Sequence, residues 1–208
     1  MSGAAHRVAR TIAEGRHYHV EIDAASLVRV TTHPSGEPYF GRTGRNRFDA
    51  PGAAPTFGVS YCAPNFLTAF AESILHVDKR FDSRRNRWVV SRSGVLDATW
   101  VVDLRRPHAP QLRLFPLCGE LLTSMSIGNI VSAGRDYRAT RAIAGVIHDD
   151  DPASDGILYV SNRHNLRLAV ALFERSGVTT QQVPGAYVPL TKHPEYAAAV
   201  NSFEVLIV

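Results

Sequence analysis

The chain has 208 residues, of which 45% are hydrophobic and 20% charged, and it carries a net charge of +4. That suits one domain with a core of ordinary size. No window reaches the unbroken apolar length of a membrane span and the N-terminus lacks a signal peptide's apolar core, so a soluble, cytoplasmic protein is expected.

In chain order, residues 4–16 have helical spacing, with Val8, Ala9 and Ile12 on one side, and Leu27-Val28-Arg29-Val30 reads as a strand. Residues 31–57 are dense in Gly, Pro, Asn and Arg without periodicity, a long loop of the kind that is often functional. A strand at 58–63 and a helix from about 65 to 78 follow. Residues 88–90, 99–104 and 112–117 have strand character, and 119–127 and 134–147 read as helices, the second with Ile143, Val146 and Ile147 on its apolar face. Asp149-Asp150-Asp151-Pro152 closes that helix and opens a turn. Residues 157–160 form a short buried-type strand, 168–173 fit strand or helix, and 203–208 read as a final strand. The sum is an α+β single domain over 1–208, a mixed sheet of short strands with interspersed helices. Strands do not alternate with long helices as in a doubly wound parallel sheet, and neither GxGxxG nor GxxxxGK[ST] occurs.

The charged and metal-binding residue types mostly have bland readings. Cys62 and Cys118 sit in apolar surroundings with no CxxC pattern and read as buried free thiols, with one long-range disulfide left open. Lys79, Arg80, Arg84, Arg85, Arg87 and Arg92, partly offset by Asp78 and Asp82, read as a solvated surface hairpin, and direct nucleic-acid binding is not expected. The three adjacent aspartates read as solvated turn residues. His17 and His19 form an HxH pair with no evident third ligand, so no metal is expected.

One stretch changes character halfway. In GVSYCAPNFLTAFAES, residues 58–73, the first half alternates like a strand, Pro64-Asn65 breaks it, and the second half is helical. At 100° per residue Phe66, Phe70, Ser73, Ile74 and Val77 cluster on one side, with Glu72 opposite beside Thr68 and His76. By that geometry alone Glu72 is a solvated acid, and Tyr61 is ordinary half-buried packing. Upstream, Gly41-Arg42-Thr43-Gly44-Arg45-Asn46-Arg47-Phe48 is glycine-spaced and arginine-rich, which suits an anion. Arg29 inside LVRV either faces water or, if turned inward, must be paired, and a pyrophosphate fits. Ser161 follows a buried strand, but no GxSxG surrounds it and nothing identifies a base and orienter for it. His164 is a candidate base of unknown direction.

Taken in order, these pieces resemble the RES domain family, named for its arginine, glutamate and serine. The residues that carry the resemblance are Arg29, Arg47-Phe48, Gly58-Val59-Ser60-Tyr61, Ala69-Phe70-Ala71-Glu72 and Asp155-Gly156-Ile157-Leu158-Tyr159-Val160-Ser161-Asn162-Arg163-His164. They span about 27–175 and leave 1–26 as an N-terminal helical extension. The resemblance implies an ADP-ribosyltransferase-like fold and a toxin of a toxin–antitoxin pair that depletes NAD+ by phosphorolysis or hydrolysis, or transfers ADP-ribose to a protein. It implies that Glu72, Arg29, Tyr61 and Ser161 are catalytic and that Arg29, Tyr39, Arg47, Tyr61 and Ser161 bind NAD+. Glu72 would hold the ribose 2-hydroxyl, Arg29 with Arg47 the pyrophosphate, Tyr61 the nicotinamide ring and Ser161 the ribose or a phosphate. Inorganic phosphate is a co-substrate in one version and no metal is needed. The implied partner is an antitoxin with a helix-turn-helix DNA-binding region, and a homodimer stays open. A non-catalytic module that keeps the fold and binds a nucleotide or a partner is the alternative.

Overall fold

In the computed structural model, which describes residues 2–33, 35–75, 81–133, 136–180 and 186–208, helix α1 (Gly3–Ala13) starts from a Ser2 cap whose hydroxyl accepts the Ala5 N–H. Its Ala4, Ala5 and Val8 bury against Ile143, Ala144 and Ile147 of α5 (Arg138–Asp150), a fit that small residues on one face and β-branched ones on the other allow. The first 26 residues were expected as a helical extension. They also supply β1 (Val20–Asp23), which pairs antiparallel along β7 (Gln111–Leu117).

Among the described residues the strands form three sheets. The largest runs β1, β7, β8 (Gly156–Val160), β9 (Leu168–Phe173), β3 (Val59–Cys62). It is mixed, because β7 and β8 are parallel while the other neighbours are antiparallel. In the second sheet β6 (Trp100–Arg105) pairs with β2 (Val28–Thr31), β10 (Thr179–Thr180) and β11 (Tyr187–Pro189). The third is small, with β5 (Arg87–Val90) between β4 (Phe81–Asp82) and β12 (Leu206–Ile207).

The α+β expectation holds, with several local changes. Segment 168–173 is a strand, while the final strand shrinks to β12 after α6 (Tyr196–Ser202). The helix expected over 119–127 stops early, as α3 (Gly119–Ser124), before Ser126 at φ 54°, and a further helix that was not expected, α4 (Gly128–Ala133), follows. The next helix starts at Arg138 and runs on to Asp150, with the first part of its expected range, 134–135, outside the described residues. Helix α2 (Phe66–Ile74) begins at an Asn65 cap, where Oδ1 accepts the Thr68 N–H at 2.9 Å. Its expected end at 78 lies outside the described residues, as do His76, Val77, Asp78, Lys79 and Arg80. The remaining basic residues lie on and beside β4 and β5, where Asp82 pairs with Arg85 and Asp97 with Arg92, and Arg84, Arg85, Arg87 and Arg92 are exposed as a surface hairpin requires.

The site depends on how the first two sheets meet. Val28 and Ala63 exchange both backbone hydrogen bonds at 2.9 Å, so β2 and β3 are stitched at one point. Gly41 and Val59 do the same at 2.9 and 3.0 Å, which returns the 42–57 loop to the edge of β3. Helix α2 packs its Phe66, Phe70 and Ile74 with Val30 of β2 and Val101 of β6. In β8, Gly156 is compelled by its neighbour: a Cβ there would stand 2.4 Å from the Ala171 carbonyl oxygen and 2.9 Å from Leu172 Cα. Gly156→Ala is therefore expected to lower unfolding free energy by about 1–3 kcal/mol, read from urea denaturation midpoints. An unchanged midpoint would show that β8 and β9 can separate at no cost.

Candidate active site

The loop between β2 and β3 is built around a buried acid. Asp49 is 0% exposed. Its Oδ2 accepts the backbone N–H groups of Arg45 (3.0 Å) and Asn46 (3.1 Å) and the hydroxyl of Thr43 (3.2 Å). Its Oδ1 accepts the Tyr61 hydroxyl at 3.0 Å, and that hydroxyl accepts the Phe48 N–H at 2.9 Å. The Gly44 carbonyl, at a residue with φ +64°, accepts from the Arg141 guanidinium of α5. The glycine spacing thus serves the chain path, and the amides of Arg45 and Asn46 point at Asp49 instead of at a ligand.

What the loop presents is Arg47. Its guanidinium is nearly buried, with its carbon 5.4 Å from the centroid of Tyr159, 5.9 Å from Phe48 and 6.0 Å from Tyr137. Stacking on aromatic faces suits a cation removed from water. Its Nη1 is buried and has no hydrogen-bond partner, the kind of vacancy that an incoming acceptor fills.

Arg47 borders a cavity of about 270 Å³ whose walls also include Arg29, Tyr61, Glu72, Tyr137 and Tyr159. Glu72 reaches it from α2. Ser161, just past β8, donates to Glu72 Oε1 at 2.5 Å, and the Tyr159 hydroxyl donates to Oε2 at 3.4 Å. Burial, with the Glu72 charge second, pushes the Tyr159 phenol well above its ordinary value, so it remains a donor. The face of α2 opposite the phenylalanines is therefore turned to the end of β8 and the 161–164 turn. Thr68, one helical turn before Glu72, is fully buried there, its hydroxyl 3.0 Å from His164 Nδ1.

The structure brings Arg29, Arg47, Tyr61 and Glu72 to one cavity and leaves Ser161 and Tyr39 off its walls. Ser161 is 2% exposed and stands behind Glu72, its Oγ also accepting the N–H groups of Arg163 and His164, so it orients the carboxylate. Tyr39 is exposed and packs on His33 at 4.7 Å between ring centroids. Arg29 faces inward and already has partners: Nε donates to Glu37 Oε2 at 2.6 Å and Nη1 to the Tyr61 carbonyl at 2.9 Å. Glu37, 1% exposed at its side chain, also accepts from Thr31 Oγ1 and the Tyr39 N–H. Tyr61 lends its ring to the wall while its hydroxyl is engaged; burial, with the Asp49 charge second, raises it well above its usual value.

Sequence reasoning missed Glu37, Asp49 and Tyr137, and it quoted Tyr159 without a role. Only Tyr159 carried a signal, through its place in the motif with Ser161. Other candidates fall away on geometry. His164 is outside the cavity walls, and burial, then the Arg167 charge, lowers its pKa. Cys62 and Cys118 are both free, and burial pushes the Cys62 thiol up to about 12, so it is no thiolate nucleophile. Asp149 and Asp150 are exposed and Asp151 is buried, so the three aspartates do not converge on one point. Asp151 instead meets His17 and His19, the third ligand type that the HxH pair lacked.

A family model described as the RES domain matches residues 10–193. Comparison with curated proteins gave no match. Among solved structures, a chain of the crystal structure of the M. tuberculosis MbcT-MbcA toxin–antitoxin complex is similar, with a TM-score of 0.55 and 12% identity over 90% of this chain and 89% of that one. At that identity the likeness concerns the fold.

The Tyr61–Asp49 bond makes a prediction about the loop. Tyr61→Phe leaves Asp49 Oδ1 and the Phe48 N–H without that hydroxyl and is expected to cost about 1–3 kcal/mol of stability, read as a lower denaturation midpoint. A midpoint equal to that of the unsubstituted chain would mean that the hydroxyl does not hold the loop.

Proposed function

The chain belongs to the RES domain family, and we propose that it is a toxin-type enzyme that cleaves the nicotinamide–ribose bond of NAD+. One observation carries this reading. A single cavity has on its wall a carboxylate held by two hydroxyls, Glu72, and a buried guanidinium with an unused N–H, Arg47. A substrate suited to both has an anionic group and a centre that becomes positive during reaction.

NAD+ has both. Breaking its nicotinamide–ribose bond passes through a cation-like ribose, as glycoside cleavage does, and a carboxylate at the ribose 2-hydroxyl interacts more strongly as that charge grows. Glu72 has this role. Ser161 and Tyr159 hold its two oxygens so that little reorganisation is needed at the moment of reaction, which makes Ser161 a positioning residue. Arg47 grips a phosphate oxygen by a charge-assisted hydrogen bond. Arg29, committed to Glu37 and the Tyr61 carbonyl, braces the wall beside it. The ring of Tyr61 packs against nicotinamide and keeps the scissile bond in a reactive geometry. Nicotinamide leaves with the charge on its ring nitrogen neutralised, so its departure needs no proton. The cavity is smaller than the 300–1,000 Å³ or so that encloses a drug-sized ligand, so the nicotinamide riboside end enters while the adenosine end lies at the mouth.

As a toxin acting on the cytoplasmic NAD+ pool, the protein needs a partner that blocks this mouth. The likeness in fold to a chain solved in a toxin–antitoxin complex supports an antitoxin, and we assign it the helix-turn-helix type that the family resemblance implies.

Purified protein is expected to release nicotinamide from NAD+. Glu72→Gln should reduce turnover at least about 100-fold while leaving the circular-dichroism spectrum intact. Arg47→Ala should mainly raise KM, and Ser161→Ala should mainly lower kcat, because one touches substrate and the other only Glu72. Adding phosphate separates the acceptors: ADP-ribose 1″-phosphate indicates phosphorolysis, ADP-ribose hydrolysis, and a labelled protein transfer. Tight NAD+ binding with no product would instead make this a binding module.

A further inference from the structure

We propose that His17, His19 and Asp151 form a binding site for a divalent transition-metal ion of the zinc type, separate from the cavity. His17 and His19 lie in the connector between α1 and β1, where alternate residues of an extended chain point to the same side. Asp151 follows the last turn of α5. One ligand atom from each lies within 4.8 Å of the others.

The distances suit an ion. Nε2 of His19 is 2.8 Å and Nε2 of His17 is 3.7 Å from the same Asp151 Oδ2. Tetrahedral zinc with ligand bonds of about 2.0–2.1 Å sets neighbouring ligand atoms roughly 3.3 Å apart, between these two values. His17 is the less satisfied ring. Its Nε2 is too far for a hydrogen bond to Asp151, and its Nδ1 is buried without a partner. An ion between the three groups gives Nε2 a ligand bond. Stacking on Phe115, at 5.7 Å and 20° between rings, holds the imidazole in place. The Ser154 hydroxyl, buried, donates to Asp151 Oδ2 at 2.6 Å and can orient the carboxylate as outer-shell groups do in metal sites. The C-terminal end of α5 adds the negative end of a helix dipole.

Arg113 opposes the ion. Its Nη2 is 3.0 Å from His19 Nδ1, and because a guanidinium only donates, Nδ1 accepts there and Nε2 carries the proton directed at Asp151. An ion at Nε2 requires the other neutral tautomer, with the ring's single proton moved from Nε2 to Nδ1, where it faces Arg113. Arg113 is exposed and free to turn away, so binding the ion and releasing Arg113 are one event. The site is remote from the cavity. Tyr137, on the cavity wall, precedes α5 and Asp151 follows it, about 20 Å away at 1.5 Å per residue. The ion therefore staples the α1–β1 connector to α5.

The test uses the untagged chain, stripped with chelator and titrated with ZnCl2 by calorimetry, and with CoCl2 for the visible bands of a four-coordinate ion. One ion per chain is expected. His17→Ala and His19→Ala should each weaken binding at least about tenfold, and Arg113→Ala should tighten it. Zinc should raise the melting temperature of the unsubstituted chain but not of His17→Ala, and Mg²⁺, which prefers oxygen ligands, should do neither. Binding unchanged in both histidine variants, or no stoichiometric binding, overturns the proposal. Since Asp151→Asn removes a buried partner of Ser154 and risks unfolding, the histidine variants decide the matter. NAD+ turnover in those variants should match the unsubstituted chain, so this proposal and the assignment of the cavity fail or stand separately.

Discussion

Asp49 is fully buried, and a carboxylate taken out of water costs several kcal/mol unless its lone pairs are filled. The 42–57 loop is arranged to fill them. Two backbone N–H groups, the Thr43 hydroxyl and the Tyr61 hydroxyl converge on its oxygens, which leaves the loop few other paths between Gly41 and β3. With Arg45, Asn46 and Phe48 held in this way, Arg47 can only extend inward, among the rings of Phe48, Tyr137 and Tyr159. One buried charge thus explains why a second, of opposite sign, stands inside the fold with a donor to spare.

The same logic governs the opposite wall. Glu72 is fixed from behind by groups on β8 and the turn after it, so its geometry depends on how α2 packs over one sheet and how β8 sits in another. Those two sheets are joined where Val28 and Ala63 pair, and the cavity opens beside that seam. Arg29 stands one residue from it. Tied to Glu37 and to the Tyr61 carbonyl, Arg29 links β2 to β3. The groups on the cavity wall are thus positioned by others that stand off it.

Much of this was legible in the residues. The strand at 58–63, the break at Pro64-Asn65, the helix after it and the ordered motifs from Arg29 to Ser161 were readable there, and the family resemblance joined them into one site. Roles were harder to read. Ser161 looked like a group that would meet substrate and instead lies behind Glu72. Arg29 looked like the main anion grip and instead has a carboxylate partner eight residues on. His17 and His19 lacked a third ligand in the sequence because Asp151 is 132 residues from His19 along the chain.

By itself the sequence determined the local elements and the chemistry on offer, since helical and strand periodicity, caps and turn residues act over a few positions. It also determined that the chain carries an arginine, glutamate and serine in the order of one family. Only the tertiary structure decided which charges are buried. A charged side chain reads as solvated until the fold removes its water, and then its partner must come from whatever the packing brings near, whether Glu37 for Arg29, Tyr61 for Asp49 or Ser161 for Glu72. Burial is a property of the whole chain, and so are the pairings that it compels.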